Sequence, residues 1–144
     1  MKPVELSIVI NRPLEACFAY LADPSNDREW RREWIEAEKT TDGPHGVSAR
    51  YRLTGTLLGR RIATVYETIA YEPNRQAAWT AVSGPLPLTF SRAFEAVEGG
   101  TRVTMRYEGD RGFLKLAGPL VAGIGKRQME GDFPKLKQVL EQAP

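Results

Sequence analysis

The C-terminal stretch from Phe113 to Gln142 limits most strongly what this chain can fold into. Its apolar residues recur every three to five positions, with one slip near Gly125, and this period is typical of an amphipathic helix. The apolar positions are Leu116, Leu120, Ile124, Met129, Phe133, Leu136 and Leu140. About thirty residues of helix would run roughly 45 Å, which is longer than a routine surface helix of a small domain. Because the preceding sequence is mostly strand-like, we expect the apolar face to cover a sheet.

Glycines and a proline make this predicted helix irregular. Four glycines interrupt it: Gly118, Gly123, Gly125 and Gly131. Each costs roughly 1 kcal/mol relative to alanine inside a helix. Pro134 removes a backbone donor and clashes one turn back, so we predict a kink between Glu130 and Pro134. The glycines have two interpretations: they leave room above the sheet for a ligand, or they mark close helix–sheet packing or a frayed first half.

The composition predicts a soluble protein with one domain. Its 144 residues are enough for one hydrophobic core, so we expect a single domain over residues 1–144. The net charge of +2 gives no reason to expect nucleic acid or a membrane surface as a partner. No apolar run approaches the roughly 20 residues of a membrane span, and the N-terminal apolar run is too short for a signal peptide. Cys17 is the only cysteine, which excludes an internal disulfide and fits a reducing, cytoplasmic location.

Strand and helix patterns follow one another in the order β-α-α-β6-α. The predicted strands are Val4 to Ile10, Trp34 to Thr41, Val47 to Gly55, Arg60 to Tyr71, Gln76 to Val82, Leu86 to Val97 and Thr101 to Glu108. Leu14, Phe18 and Leu21 form a helical stripe after the first strand, and a second short helical turn reaches Trp30. Closely spaced strands with short turns indicate an antiparallel meander. The predicted fold class is therefore α+β, with about seven antiparallel strands around a long C-terminal helix.

A curved sheet of this kind leaves a space that the helix need not fill. Apolar clefts between such layers are the usual binding sites for small molecules. The sequence therefore predicts a ligand cavity between the sheet and the C-terminal helix.

Five segments carry a resemblance to a known family. They are Ile10 to Trp30 (INRPLEACFAYLADPSNDREW), Leu58-Gly59-Arg60, Tyr71-Glu72-Pro73, Gly99 to Thr104, and Leu136 to Glu141. In order and spacing, over essentially all residues, the chain resembles the START-like superfamily, also called Bet v 1-like or SRPBCC, and within it the polyketide cyclase/dehydrase and lipid-transport-like branch. The resemblance implies the helix-grip fold, with a hydrophobic ligand held between the curved sheet and the last helix. It implies no particular reaction, because members range from lipid carriers and hormone receptors to cyclases and stress-response proteins.

Strand alternation turns many aromatic side chains toward that helix, where they would form the cavity wall. The candidate ligand-binding residues are Trp30, Trp34, Tyr51, Tyr66, Trp79, Phe90, Arg92, Met105, Tyr107, Phe113, Leu120 and Ile124. For any single one of them, plain core packing is the alternative. Tyrosine hydroxyls in such a wall would orient a polar group of the ligand.

Arg92 is the polar exception on this predicted face. It shares strand parity with Phe90 and Phe94, so one interpretation is that it points inward. A buried arginine needs an anionic partner, and either Glu67 or a ligand carboxylate would supply one. The alternative is a twisted or bulged strand that leaves Arg92 at the rim. An inward Arg92 predicts that Arg92→Ala weakens binding of an acidic, lipid-like ligand.

The remaining chemistry-bearing residues indicate no metal and no cofactor. His45 is the only histidine and lies in a Gly/Pro turn, where a general-base role is not favoured. Cys17 lies beside the apolar stripe of the first helix and is expected in the core. No CxxC, P-loop or dinucleotide fingerprint occurs, and no catalytic residue is assigned. The charged, aromatic segment from Trp30 to Trp34 is open to interpretation as a lid or membrane-touching rim, but a solvated turn is favoured.

Three functions remain open on the sequence. The favoured one is binding or transport of a hydrophobic small molecule that is lipid-, polyketide- or aromatic-like. We expect the protein to be a monomer or weak homodimer that binds no nucleic acid and does not insert stably into a membrane. A cyclase/dehydrase-type enzyme would instead show two or more inward-facing titratable groups within hydrogen-bond reach. A regulatory interaction module would show an exposed apolar patch and a small, filled cavity.

Overall fold

A computed structural model describes residues 4–57, 59–85, 87–109 and 118–142. The strands are β1 (Val4–Ile10), β2 (Trp34–Lys39), β3 (Arg50–Leu57), β4 (Arg60–Glu72), β5 (Gln76–Ser83), β6 (Leu88–Val97) and β7 (Gly100–Gly109). The helices are α1 (Leu14–Leu21), a 3-10 helix (Pro24–Glu29) and α2 (Gly118–Glu141). This order confirms the predicted β-α-α-β6-α arrangement, with a 3-10 helix as the second helical element.

The seven strands form one curled antiparallel sheet in the order β1-β7-β6-β5-β4-β3-β2. Strands β2 to β7 therefore follow each other as a meander, and β1 closes the far edge by pairing with β7. The α+β helix-grip architecture is confirmed. The predicted start of β3 at Val47 is wrong, since the strand begins at Arg50. Ser48 takes a left-handed φ of 78°, which a strand residue cannot adopt, and this residue ends the preceding loop.

Strand alternation gives the sheet an apolar inner face and a polar outer face. On β7, Thr101, Val103 and Met105 are buried, whereas Arg102 and Arg106 are exposed. Helix α1 covers one end of the inner face, where Phe18 packs edge-on against Tyr71 and Phe94 with ring centroids 5.3 and 5.2 Å away. The two-residue period of the sequence therefore identified the inner face correctly.

The segment after α1 is fixed by local capping. Asp23 precedes the 3-10 helix, and its side chain accepts a hydrogen bond from the backbone N–H of Ser25 at 3.0 Å. Pro24 stands at the first helical position, where its missing N–H costs nothing. Cys17, on α1, is fully buried, as the sequence predicted.

Helix α2 packs on the sheet by its C-terminal half. Met129, Asp132, Leu136 and Leu140 are buried there, whereas Lys126 and the residues around it are exposed or half-buried. The end of the helix is tied to β1 by two hydrogen bonds. The backbone N–H of Asn11 donates to Glu141 at 2.8 Å, and the Lys137 ammonium donates to the Val9 carbonyl at 2.8 Å.

The irregular residues of α2 have different consequences. The helix continues through Pro134, and the kink predicted there stays a prediction. A Cβ atom added at Gly123 or Gly125 would meet nothing within 4 Å, so close helix–sheet packing is the wrong explanation for these two glycines. Phe113 and the side chain of Leu120 lie outside the described residues.

Candidate functional site

The inner face of β4 to β7 carries a continuous aromatic wall. The Trp79 and Phe90 rings stack at 4.9 Å between centroids, and Phe90 stacks on Tyr107 at 5.9 Å. Tyr66 meets Phe90 edge-on at 5.0 Å. Stacked and edge-on contacts are the favoured geometries for aromatic pairs, so these contacts stabilise the apolar wall.

Burial divides the predicted site residues into three groups. Five are no more than 1% exposed and form a packed floor: Trp30, Tyr51, Trp79, Arg92 and Met105. Tyr66 and Phe90 retain 3% and 5% exposure. Trp34, Tyr107 and Ile124 are half-buried. A side chain without exposed surface touches a ligand only if the core opens, so the second and third groups are the accessible part of the predicted wall.

Helix α2 crosses this wall at Tyr107. The Tyr107 hydroxyl lies 3.7 Å from the sulfur of Met129, which is itself 1% exposed. Beyond Met129 toward the N-terminus of α2, Ile124 and Gly125 are half-buried and Gly123 is exposed. The helix therefore packs closely on the wall at Met129 and less closely at Gly123 to Gly125.

Arg92 lies on the inner face, an orientation that the sequence left open, and its anionic partner is Asp27. Its two terminal nitrogens donate to the two oxygens of Asp27 at 3.0 and 2.7 Å, and one also donates to the Leu21 carbonyl at 2.9 Å. The predicted partner Glu67 is wrong, because Glu67 pairs with Arg50 on the outer face at 2.9 Å. The charge of Arg92 is therefore matched inside the fold, without a ligand carboxylate.

Aromatic rings enclose the guanidinium of Arg92. Its central carbon lies 5.6 Å from the Trp30 ring, 5.7 Å from Trp79 and 5.4 Å from Phe90. Burial lowers the pKa of Arg92, but Asp27 and then Tyr107 oppose it more strongly together, so the pKa lies above its usual value. The side chain is thus a permanent cation that packs against the aromatic rings of the wall.

Arg31 forms a second buried cation, and the solvated turn predicted for Trp30 to Trp34 is wrong. Arg31 is 5% exposed, and its guanidinium donates to the Tyr107 hydroxyl at 3.0 Å. It also pairs with Glu33 and lies 3.4 Å from Asp132. Asp132 accepts a further hydrogen bond from Arg32, which is 80% exposed, at 2.9 Å. These contacts fasten the segment to α2.

His45 takes part in a polar chain that the sequence did not indicate. Its Nδ1 contacts the hydroxyl of Tyr51, and its Nε2 lies 3.5 Å from Asp23. Burial, and next the charge of Asp23, raise the pKa of Tyr51. With Tyr51 fully buried and His45 partly exposed, this chain links the β2–β3 loop to the residue that caps the 3-10 helix.

The described residues offer little support for other kinds of site. They hold no group of three histidine, cysteine, aspartate or glutamate side chains placed to bind a metal. None of the helices in the described ranges is long and apolar enough to cross a membrane. A groove of about 310 Å³ lies on the outer face of the sheet and is lined mainly by Arg75, Gln76, Ala93, Glu95, Arg102 and Thr104. Glu95 and Arg102 pair there at 3.7 Å, so this groove is polar and charge-matched.

The fold agrees with the comparison to known families. The profile of the family described as polyketide cyclase / dehydrase and lipid transport matches residues 1–141, and the chain belongs to that family. Membership of this family supports binding of hydrophobic ligands in general. No protein of curated function matches the chain in sequence.

Solved structures share the fold at low sequence identity. The protein TTHA0849 from Thermus thermophilus superposes with a TM-score of 0.77 at 17% identity, over 95% of each chain. A START superfamily protein from Mycobacterium smegmatis gives 0.76 at 15% identity, over 97% of each chain. Ara h 8.0201 gives 0.73 at 14% identity, over 99% of each chain. At these identities the likeness shows the fold alone.

Sequence reasoning missed three acidic residues that organise the site. Asp23 and Asp27 belong to the 3-10 helix and its cap, where the sequence PSNDRE has no apolar period, and Asp132 follows Gly131 on α2. The one available signal was Arg92, which as an inward arginine required an acid somewhere in the chain. It did not say which acid, because the contact spans 65 residues.

Proposed function

We propose that this protein binds a hydrophobic small molecule on the inner face of its sheet, beneath the first half of α2. The stacked wall of Trp79, Phe90 and Tyr107 carries the proposal, because it ends at a half-buried tyrosine beside a loosely packed part of the helix. A flat or chain-like apolar molecule placed there would bury surface on aromatic rings. The lipid-, polyketide- and aromatic-like ligands of the prediction all fit this description.

The predicted contact residues enter this proposal with different roles. Tyr66, Phe90, Tyr107, Trp34 and Ile124 would touch the ligand, and the packed floor would hold them in place. Because its charge is matched by Asp27, Arg92 belongs to the floor. Exposed large apolar residues lie on β1, β2, the β2–β3 loop, β4 and β5, and this spread does not favour an interaction module with one apolar patch.

Native mass spectrometry of the purified protein, followed by solvent extraction, tests the proposal. We expect a reproducible extra mass that extracts as a lipid, fatty acid or aromatic compound. Ile124→Trp adds bulk beneath α2 and should reduce the bound fraction. Lys126→Trp places the same bulk on the exposed side of the helix and is the matched control. Equal occupancy in the two variants would contradict the proposed position.

A cyclase/dehydrase-type activity is a second candidate, favoured by one observation. Arg31 and Tyr107 are inward-facing titratable groups within hydrogen-bond distance, at 3.0 Å. Such a pair is suited to protonating or holding an oxygen that develops charge. The extracted compound, returned to the protein and followed by liquid chromatography and mass spectrometry, tests this candidate. Loss of water or ring closure that Tyr107→Phe abolishes would support it, and an unchanged compound would leave the carrier function.

A further inference from the structure

The hydroxyl of Tyr66 is an unpartnered polar group of the accessible wall. Tyr66 projects from the inner face of β4 and is 3% exposed. Its ring is held by Phe90, but its hydroxyl makes no hydrogen bond to any of the described residues. Unlike the buried indole N–H groups of the wall and floor, this hydroxyl keeps a little exposed surface, so it is open to an acceptor that the chain does not itself supply.

A second unpartnered donor lies in the same region. The indole N–H of Trp34 is buried and has no acceptor among the described residues. The Trp34 ring lies 6.0 Å from the guanidinium carbon of Arg31. Two donors of the accessible wall, Tyr66 and Trp34, therefore lack acceptors.

Tyr107 completes the arrangement. Its hydroxyl oxygen accepts from Arg31, and its own proton faces the sulfur of Met129 at 3.7 Å. A thioether is a weak acceptor, so an oxygen atom in reach would displace it. Burial, and next the nearby Tyr107, raise the pKa of Tyr66. Its hydroxyl therefore stays protonated and can donate a hydrogen bond.

We propose that Tyr66 and Tyr107 donate hydrogen bonds to one oxygen acceptor of the ligand, with Trp34 and Arg31 as the second donor layer. The stacked rings of Phe90 and Tyr107 would hold the flat part of the same molecule. The preferred ligand is thus a flat aromatic or conjugated compound with a carbonyl or carboxylate oxygen, and a plain hydrocarbon binds less tightly. This inference rests on the proposed function and names the ligand class of that site.

Titration calorimetry with three probes tests the inference: naphthalene, acetylnaphthalene and naphthoate. They share one ring system and carry no oxygen, a neutral carbonyl and a carboxylate, respectively. We expect one or both oxygenated probes to bind roughly 3- to 10-fold more tightly than naphthalene, which is the range of one net hydrogen bond. A preference for acetylnaphthalene alone identifies a neutral carbonyl, and a preference for naphthoate alone identifies an anion.

Tyr66→Phe removes only the unpartnered hydroxyl. It should abolish the preference, so that the oxygenated probes bind no more tightly than naphthalene does. Tyr71→Phe makes the same change on the same strand, at the end packed against Phe18, and should keep the preference. If Tyr66→Phe does not fold, Tyr107→Phe gives the same readout.

The outcomes separate the inference from the function on which it rests. Equal affinity of the wild-type protein for all three probes would overturn the inference and leave the proposed function standing. A preference that survives both Tyr66→Phe and Tyr107→Phe would also overturn it. Failure of every probe to bind, together with an absent extra mass after purification, would overturn the proposed function itself.

Discussion

Arg92 and Asp27 meet in the middle of the inner face, each almost without exposed surface. Two parallel hydrogen bonds satisfy the carboxylate, and the Leu21 carbonyl takes a further donor of Arg92 at the end of α1. The pair thereby fixes the 3-10 helix against β6. A buried ion pair of this kind adds little net stability over an apolar replacement, but removing one partner leaves a buried charge unmatched.

Removing either partner should therefore destabilise the protein severely. We expect Arg92→Met and Asp27→Asn each to lower the free energy of unfolding by about 3–5 kcal/mol, as measured by urea denaturation. The double variant Asp27→Leu/Arg92→Met should lose less unfolding free energy than the two single variants lose together. Because Asp27 already matches the charge of Arg92, this loss of stability replaces the earlier expectation that Arg92→Ala weakens binding of an acidic ligand.

The pair of Arg50 and Glu67 is the matched control on the outer face. Its N–O distance of 2.9 Å resembles that of the buried pair, but its side chains are 48% and 30% exposed. Arg50→Met should therefore cost no more than about 1 kcal/mol. A similar cost at both sites would contradict the role assigned to Arg92.

The contact between His45 and Tyr51 allows a second prediction at this scale. His45→Ala leaves the buried hydroxyl of Tyr51 without its partner and should cost about 1–3 kcal/mol of unfolding free energy. Tyr51→Phe removes the hydroxyl itself, and the partly exposed His45 can bond to water, so its cost should be smaller. Urea denaturation of the two single variants and the double variant measures the coupling. Additive costs would show that the contact contributes nothing.

The sequence identified which residues face inward more reliably than it identified their partners. The two-residue period of β6 gave Arg92 the parity of Phe90 and Phe94 but left its orientation open, and all three side chains are buried in the structure. Alternation says nothing about a contact with Asp27 in another element. The same reason explains why Arg31 was assigned to a solvated turn: its burial arises from Trp30, Trp34 and Tyr107, which the fold brings together.

At the scale of elements, α2 combines a packed C-terminal half with a first half that contains glycines in open surroundings. Gly125→Ala adds a Cβ atom that meets nothing within 4 Å, so the usual helix preference should apply. We expect a gain of about 1 kcal/mol in unfolding free energy, measured by thermal or urea denaturation.

Gly55→Ala is the control for this prediction. Its Cβ atom would lie 2.5 Å from the Glu33 carbonyl oxygen and from the Trp34 ring, so this substitution should destabilise. Loss of stability in Gly125→Ala as well would show that the first half of α2 is constrained by contacts.

The end of α2 should make stability depend on pH. The N–H of Asn11 and the Lys137 ammonium hold the pKa of Glu141 below its ordinary value of 4.5. A carboxyl group whose pKa is lower in the folded state stabilises that state above the unfolded pKa, and this contribution is lost as pH falls through the folded pKa. We expect Glu141→Gln to lower the urea midpoint near neutral pH, with a difference that shrinks as pH falls below the unfolded pKa and is lost through the lower folded pKa.

Glu130→Gln, on the exposed side of the same helix, is the control for this pH dependence. It should shift the urea midpoint little at any pH. If the urea midpoint of Glu141→Gln stays below that of the wild type by the same amount at acidic pH, the charge of the Glu141 carboxylate is not the cause of the difference.

At the scale of the whole molecule, most of the fold could be predicted and the site only in outline. Strand periods, turns and the terminal amphipathic pattern are local signals, and all seven strands and both α-helices follow them. The depth of each aromatic side chain is set by how far the sheet curls and where α2 rests, which no local pattern encodes. Trp79 and Tyr107 therefore looked equivalent in sequence, although Trp79 is fully buried and Tyr107 is half-buried.

The central claim is that a small apolar molecule binds on the inner face, beneath the first half of α2. Intermolecular nuclear Overhauser effects between naphthoate and the labelled protein test it most directly. We expect contacts from the probe protons to the side chains of Phe90, Tyr107 and Ile124. Contacts to Gln76, Ala93 and Thr104 instead would place the ligand in the groove on the outer face and contradict the claim.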